Sequence, residues 1–139
     1  MSDVSKNTFF AGDYCWERFP HVYAKAVNLS RKLTEAYDVA LKSYDVLIMP
    51  TTITPADPLP AETDSATTKM SKTIGKLDNT CPFNATGHPA LAFPIGFVDA
   101  KEEGVKVPAS MQIVGRNWDE LGCLKVAYAW ENARDWKDF

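Results

Sequence analysis

Between Phe19 and Tyr44 the apolar residues return at three- and four-residue steps: Tyr23, Ala26, Val27, Leu33, Ala36, Tyr37, Ala40, Leu41 and Tyr44. Lys25, Arg31, Lys32, Glu35 and Lys42 fill the other faces, so the spacing predicts an amphipathic helix of about six turns. Pro20 suits its first turn, where a missing N–H costs nothing. Residues 1–15, ahead of it, show no periodicity and are expected to be irregular. At "YDVLIMPTT" the pattern changes, because positions 45–49 form an apolar run bounded by Asp and Pro, as in a strand covered on both faces. Residues 51–64 carry Pro55, Pro58 and Pro60 among small polar residues and predict a Pro-rich loop. The stretch 65–77 is weakly helical.

Two more apolar strands are expected at 90–95 and 109–114, the second stopped by Gly115, with a charged, glycine-containing connection at 99–104 between them. In the closing "NWDELGCLKVAYAWENARDW", Asn117 is positioned to cap a helix with Glu120 three residues on. Leu121, Leu124, Tyr128 and Trp130 would form its apolar stripe. Helix, strand, long loop, strand, strand, helix predicts one α/β domain over 1–139, with helices packed on a small mixed sheet. Three short strands leave two open edges, and such edges need cover. The sheet therefore reads as part of a larger one.

Composition narrows the partners. The chain has 139 residues, 45% hydrophobic and 24% charged, enough for a core and unlike a disordered chain. A net charge of −3 with no basic block disfavours nucleic-acid binding. No apolar run approaches the roughly 20 residues that span a bilayer, so no membrane partner is expected, and "MSDVSKNTFF" lacks the apolar core of a secretory signal. Cys15, Cys81 and Cys123 are widely spaced, without CxxC or a Cys/His cluster, which argues for free thiols in a cytoplasmic protein and against zinc. No metal and no cofactor is expected.

The stretch "CPFNATGHPALAFPIGF" is the most unusual in the chain. Two X-Pro bonds bracket an Asn-Ala-Thr-Gly-His run that precedes an apolar strand broken by Pro94 and Gly96. Cys81 and His88, seven residues apart, could form a nucleophile–base pair. Cys81 precedes a proline, however, and neither a helix N-terminus nor a third orienting group is expected there. Ser110 lacks the Gly-x-Ser-x-Gly elbow that exposes a hydrolase serine. Trp118, Trp130 and Trp136 belong to the last helix and are expected to pack on a core. Asn84 and Thr86 bend a backbone and offer hydrogen bonds just before a buried strand, where α/β sheets keep ligand crevices. A structural corner would use the same residues, and both readings stand.

"YDVLIMPTT", "NTCPFNATGHPALAFPIGF" and "ASMQIVGRNWDE", in this order and spacing, resemble the C-terminal portion of amidase signature enzymes. The preceding "YCWERFPHVYAKAVNLSRKLTEAYDVAL" is similar to the long helix leading into that portion, in its fungal-type form. The resemblance implies an amide hydrolase whose serine–serine–lysine triad lies upstream, in a Gly/Ser-rich signature absent from this chain. Ser71-Lys72 puts a serine beside a lysine, but without the glycine-rich loop that would surround them with oxyanion donors. No catalytic residue is therefore assigned. What the resemblance implies instead is a substrate-pocket wall built from Thr51, Thr52, Phe83, Asn84, Thr86 and His88. Phe83 would supply apolar surface; the polar residues would supply contacts or hold the wall in shape. The chain departs from the family at Ala109-Ser110, where a glycine is common.

Two functional expectations follow. The chain is either the C-terminal piece of an amidase, acting with a partner chain that supplies the rest of the fold, or a stand-alone non-hydrolytic protein that binds a small-molecule ligand. A start at Met1 and a stop at Phe139 fit the second, which would pair its sheet edges in a homo-oligomer.

Overall fold

A computed structural model of the protein describes residues 2–73 and 77–139. Its elements are helices α1 (Asp3–Arg18) and α2 (Pro20–Ala40), strand β1 (Leu47–Pro50), helices α3 (Ala66–Thr73) and α4 (Cys81–Thr86), strands β2 (Ala90–Asp99) and β3 (Lys106–Val114), helix α5 (Glu120–Ala133) and a 3-10 turn, Trp136–Asp138. Their contacts gather in two compact units, one holding described residues within 1–32 and 59–75, the other those within 33–58 and 76–139.

In the first unit the irregular segment expected over 1–15 is helical instead. Ser2 caps α1, its hydroxyl accepting from the Ser5 N–H at 3.2 Å. Apolar periodicity is missing because residues 6–18 are all exposed, among them Phe9 at 70% and Trp16 at 65%. A helix with no buried face has no apolar stripe to read. The weakly helical stretch 65–77 is α3 over Ala66–Thr73 and irregular at Leu77; its positions 74–76 fall outside the described residues.

The second unit holds a three-stranded sheet in the order β1-β3-β2, with both pairings antiparallel. The α/β class is as expected, whereas the sheet is antiparallel among the described residues rather than mixed. The short 100–105 connection explains this, since it turns β2 straight back into β3: the Ala100 N–H donates to the Val105 carbonyl at 2.8 Å. Opposite Pro94 and Gly96 the register slips, leaving Ile95 without a partner. A proline brings no N–H to a ladder, so it suits such a bulge. Gly96, at φ 145°, is also required by space, because a Cβ there would lie 2.7 Å from Phe139.

Helix α5 covers one sheet face through Phe93, Ile113, Cys123 and Ala127, with Trp130 packed alongside. The stripe predicted for α5 is rotated from the real one: Leu121, Leu124 and Tyr128 are exposed. The start of α5 explains the rotation. Asp119, not Asn117, is the cap, accepting from the Gly122 N–H at 3.0 Å, while Trp118 sits at φ 67° and is 91% exposed. Trp136 lies in the 3-10 turn, against Phe97. β1 is not covered on both faces either, since Ile48 is 53% exposed. The end of α2 is held by Arg116, whose guanidinium donates to the carbonyls of Leu41 and Tyr44 at 3.0 and 3.1 Å. A cation at that position answers the free carbonyls and negative dipole end of the helix.

Candidate functional site

Pairing between β1 and β3 stops at Pro50 opposite Met111, but β3 stays paired to β2 down to Lys106. The β1 side of Pro108, Ala109 and Ser110 is left for the loop that follows β1. This loop forms a cleft of about 430 Å³ with the sheet, walled by Thr51, Ile53, Thr54, Pro55, Ala109 and Ser110 among others. Ile95, the bulge residue, reaches the same cleft. The loop is pinned where it leaves the sheet: the Thr51 N–H donates to the Ser110 carbonyl at 3.0 Å, and the two hydroxyls lie 2.8 Å apart. Farther along, Lys101 pairs with Asp57. The Thr52 hydroxyl donates back to the Thr54 carbonyl at 2.9 Å. Thr54 Oγ1 is buried with no partner among the described residues. A buried hydroxyl left unmet costs about 1–3 kcal/mol.

Phe83, Thr86 and His88 form a different place altogether. The segment 81–87 is a short helix rather than the expected bend. Pro82 opens it, and Gly87 closes it at φ 80°, its N–H donating to the Phe83 carbonyl at 2.9 Å. Phe83 is buried against Tyr37, ring centroids 5.1 Å apart. It gives no exposed apolar wall, contrary to expectation, because that face of α4 packs against α2. His88 is buried too, with Nδ1 2.9 Å from Thr86 Oγ1 and Nε2 3.3 Å from Asp38 Oδ1. A carboxylate only accepts, so Nε2 carries the proton toward Asp38, and in the neutral ring Nδ1 accepts from the Thr86 hydroxyl. Asn84 is exposed on α4 and does not line the cleft. The six candidates thus separate into Thr51 and Thr52 at the cleft, Phe83, Thr86 and His88 in a buried pin to α2, and Asn84 on the surface.

Nothing at the cleft makes a nucleophile–base pair. Cys81 is exposed at the first position of α4, and His88 has its own partners. The Ser71 hydroxyl donates to the Thr68 carbonyl at 2.9 Å, and Lys72 is bound to Asp64 at 2.9 Å, which holds the exposed Asp64 carboxyl below its ordinary value. Burial, then the Asp119 and Glu120 charges, push the Cys123 thiol up. Among the described residues no group of His, Cys, Asp and Glu gathers to hold a metal, and no helix is long and apolar enough to cross a membrane.

Residues 10–124 match the Amidase family. The chain belongs to the amidase family. Its relatives include an uncharacterised protein of the nthA 5′ region of Rhodococcus erythropolis, 42% identical over 112 residues, which are 81% of this chain and 53% of that protein. A glutamyl-tRNA(Gln) amidotransferase subunit of Geobacillus stearothermophilus is 34% identical over 114 residues, 82% of this chain and 21% of that protein. Its counterpart in Exiguobacterium sibiricum, of the same printed name, is 35% identical over 135 residues, 96% of this chain and 26% of that protein. The chain therefore spans about half the length of the first relative and a fifth to a quarter of the other two. These relatives are bacterial and give the fungal-type resemblance no support.

The residues that sequence reasoning missed at the cleft are Thr54, Ile95 and Ser110. Pro94 and Gly96 flanking Ile95 were the available signal, since both disturb a ladder. Nothing local marks Thr54.

Proposed function

We propose that this chain forms one wall of the substrate cleft of an amidase-type hydrolase, and that the reacting serines and lysine come from sequence upstream of the portion it matches. The carrying observation is the cleft beyond β1, which has hydroxyls and apolar surface but no base. Thr51 and Ser110 are hydrogen-bonded to each other, and Lys72 is engaged by Asp64. Thr51 and Thr52 touch substrate; Phe83, Thr86 and His88 hold the wall in shape; Asn84 faces the part of the enzyme supplied in trans. The setting is the cytoplasm, consistent with three free thiols.

The test is recombination. The chain, mixed with a polypeptide carrying the upstream part of an amidase with its triad, should restore hydrolysis of hexanamide. Thr51→Val should then raise KM with little effect on kcat. Failure of the mixture to turn over, although the two chains co-purify, would overturn the reading.

One observation favours a second reading. β1 and β2 are each paired on one side only, and Ile48 is exposed. A stand-alone binding protein would cover these edges with a second copy. Sedimentation separates the cases: a stable dimer of the chain alone supports this reading, and a monomer that associates only with the upstream polypeptide supports the first.

A further inference from the structure

We propose that the cleft beyond β1 takes the uncharged aliphatic part of a small carboxamide and rejects substrates bearing a charge; this rests on the reading that the cleft receives an amidase substrate. Its floor and sides are Ile53, Ile95, Val98 and Ala109, and no charged side chain lines it. A carboxylate or ammonium entering would lose water and meet no counter-charge. The nearest charges to the loop in sequence and pairing, Asp57 and Lys101, neutralise each other and stand outside the lining. The volume, about 430 Å³, falls within the range of small-molecule sites.

Polar recognition falls to the hydroxyls. Thr51 and Ser110 are occupied with one another, which leaves Thr54, on the loop that walls the cleft, with a buried hydroxyl lacking a partner. A rotation of Thr54 about χ1, from one staggered well to another, turns Oγ1 toward the cleft. There a ligand carboxamide can donate to it or accept from it. The same hydroxyl that is unmet in the free chain becomes the orienting contact in the bound one.

The experiment is an NMR titration of the full ¹⁵N-labelled chain with three probes: hexanamide, hexanoate and glutamine. Hexanamide should give saturable shifts at Ile53, Thr54, Val98 and Ala109, with the two charged probes at least tenfold weaker. Ile53→Asp alters an exposed loop side chain and should weaken hexanamide at least tenfold without changing the melting temperature. Thr54→Val keeps the shape and removes the hydroxyl; it should weaken hexanamide severalfold while the melting temperature stays level or rises. Hexanoate or glutamine binding as well as hexanamide would overturn the charge selectivity and leave the wall reading untouched. Shifts confined to residues away from the cleft, or no binding of any probe, would overturn the site itself. Recombined turnover judges the wall reading independently.

Discussion

Two groups of hydroxyl and ring polar atoms lie in the same compact unit, and they differ in what they face. Around α4, the His88 ring meets Thr86 on one side and Asp38 on the other, with Phe83 and Tyr37 closing over them. In the loop after β1, Thr51 and Ser110 satisfy one another beside open space, and Thr54 Oγ1 has no partner. A polar group already met by its own chain contributes to folding; one beside a cleft and unmet is available to a ligand. The motif that stands out in the sequence belongs mainly to the first kind, and the less conspicuous threonines belong to the second.

That contrast can be broken in graded steps. Phe83→Ala should have the largest effect, a loss of about 3–5 kcal/mol for a buried aromatic, read as a fall of order 10 °C in melting temperature. Hexanamide affinity, measured well below that temperature, should hold within twofold. A large affinity loss with intact stability would move Phe83 into the cleft. His88→Ala comes next: the Thr86 hydroxyl loses its partner inside the protein, at about 1–3 kcal/mol, with ligand shifts at the cleft unchanged. Arg116→Met should cost about 1 kcal/mol, reduced by the half-exposure of the guanidinium, and denaturant unfolding would show it as a lower midpoint.

The smallest effect concerns pH. Lys72 lowers the Asp64 carboxyl below its ordinary value of 3.8. A depressed folded-state value means that the pair's stabilisation is present above pH 3.8 and fades as pH falls through the lowered value. Lys72→Met should bring the Asp64 titration, followed by carboxyl NMR, back toward 3.8 while leaving hexanamide binding unchanged.

Much of the second unit was legible because its elements bury a periodic face or carry punctuation. Positions 90–95 and 109–114 lie within β2 and β3, and Pro20 opens α2 as its fixed φ suggests. Helix α1 was not legible, because an exposed helix leaves no stripe, and only the Ser2 cap hinted at it. α4 was read as a bend from its Pro, Asn and Gly. Those residues instead start and stop a six-residue helix. At the site, Thr51 and Thr52 were found through the family resemblance. The separation of Phe83, Thr86 and His88 from them could not be, since it depends on Tyr37 and Asp38 arriving from about 50 residues away to occupy those groups.

The most direct test is amide turnover by the purified chain alone, assayed with hexanamide at high protein concentration. A wall without reacting groups predicts ammonia release no faster than in buffer. Steady turnover that disappears in Ser71→Ala or Thr51→Val would show that these residues assemble a working nucleophile, and would contradict the account.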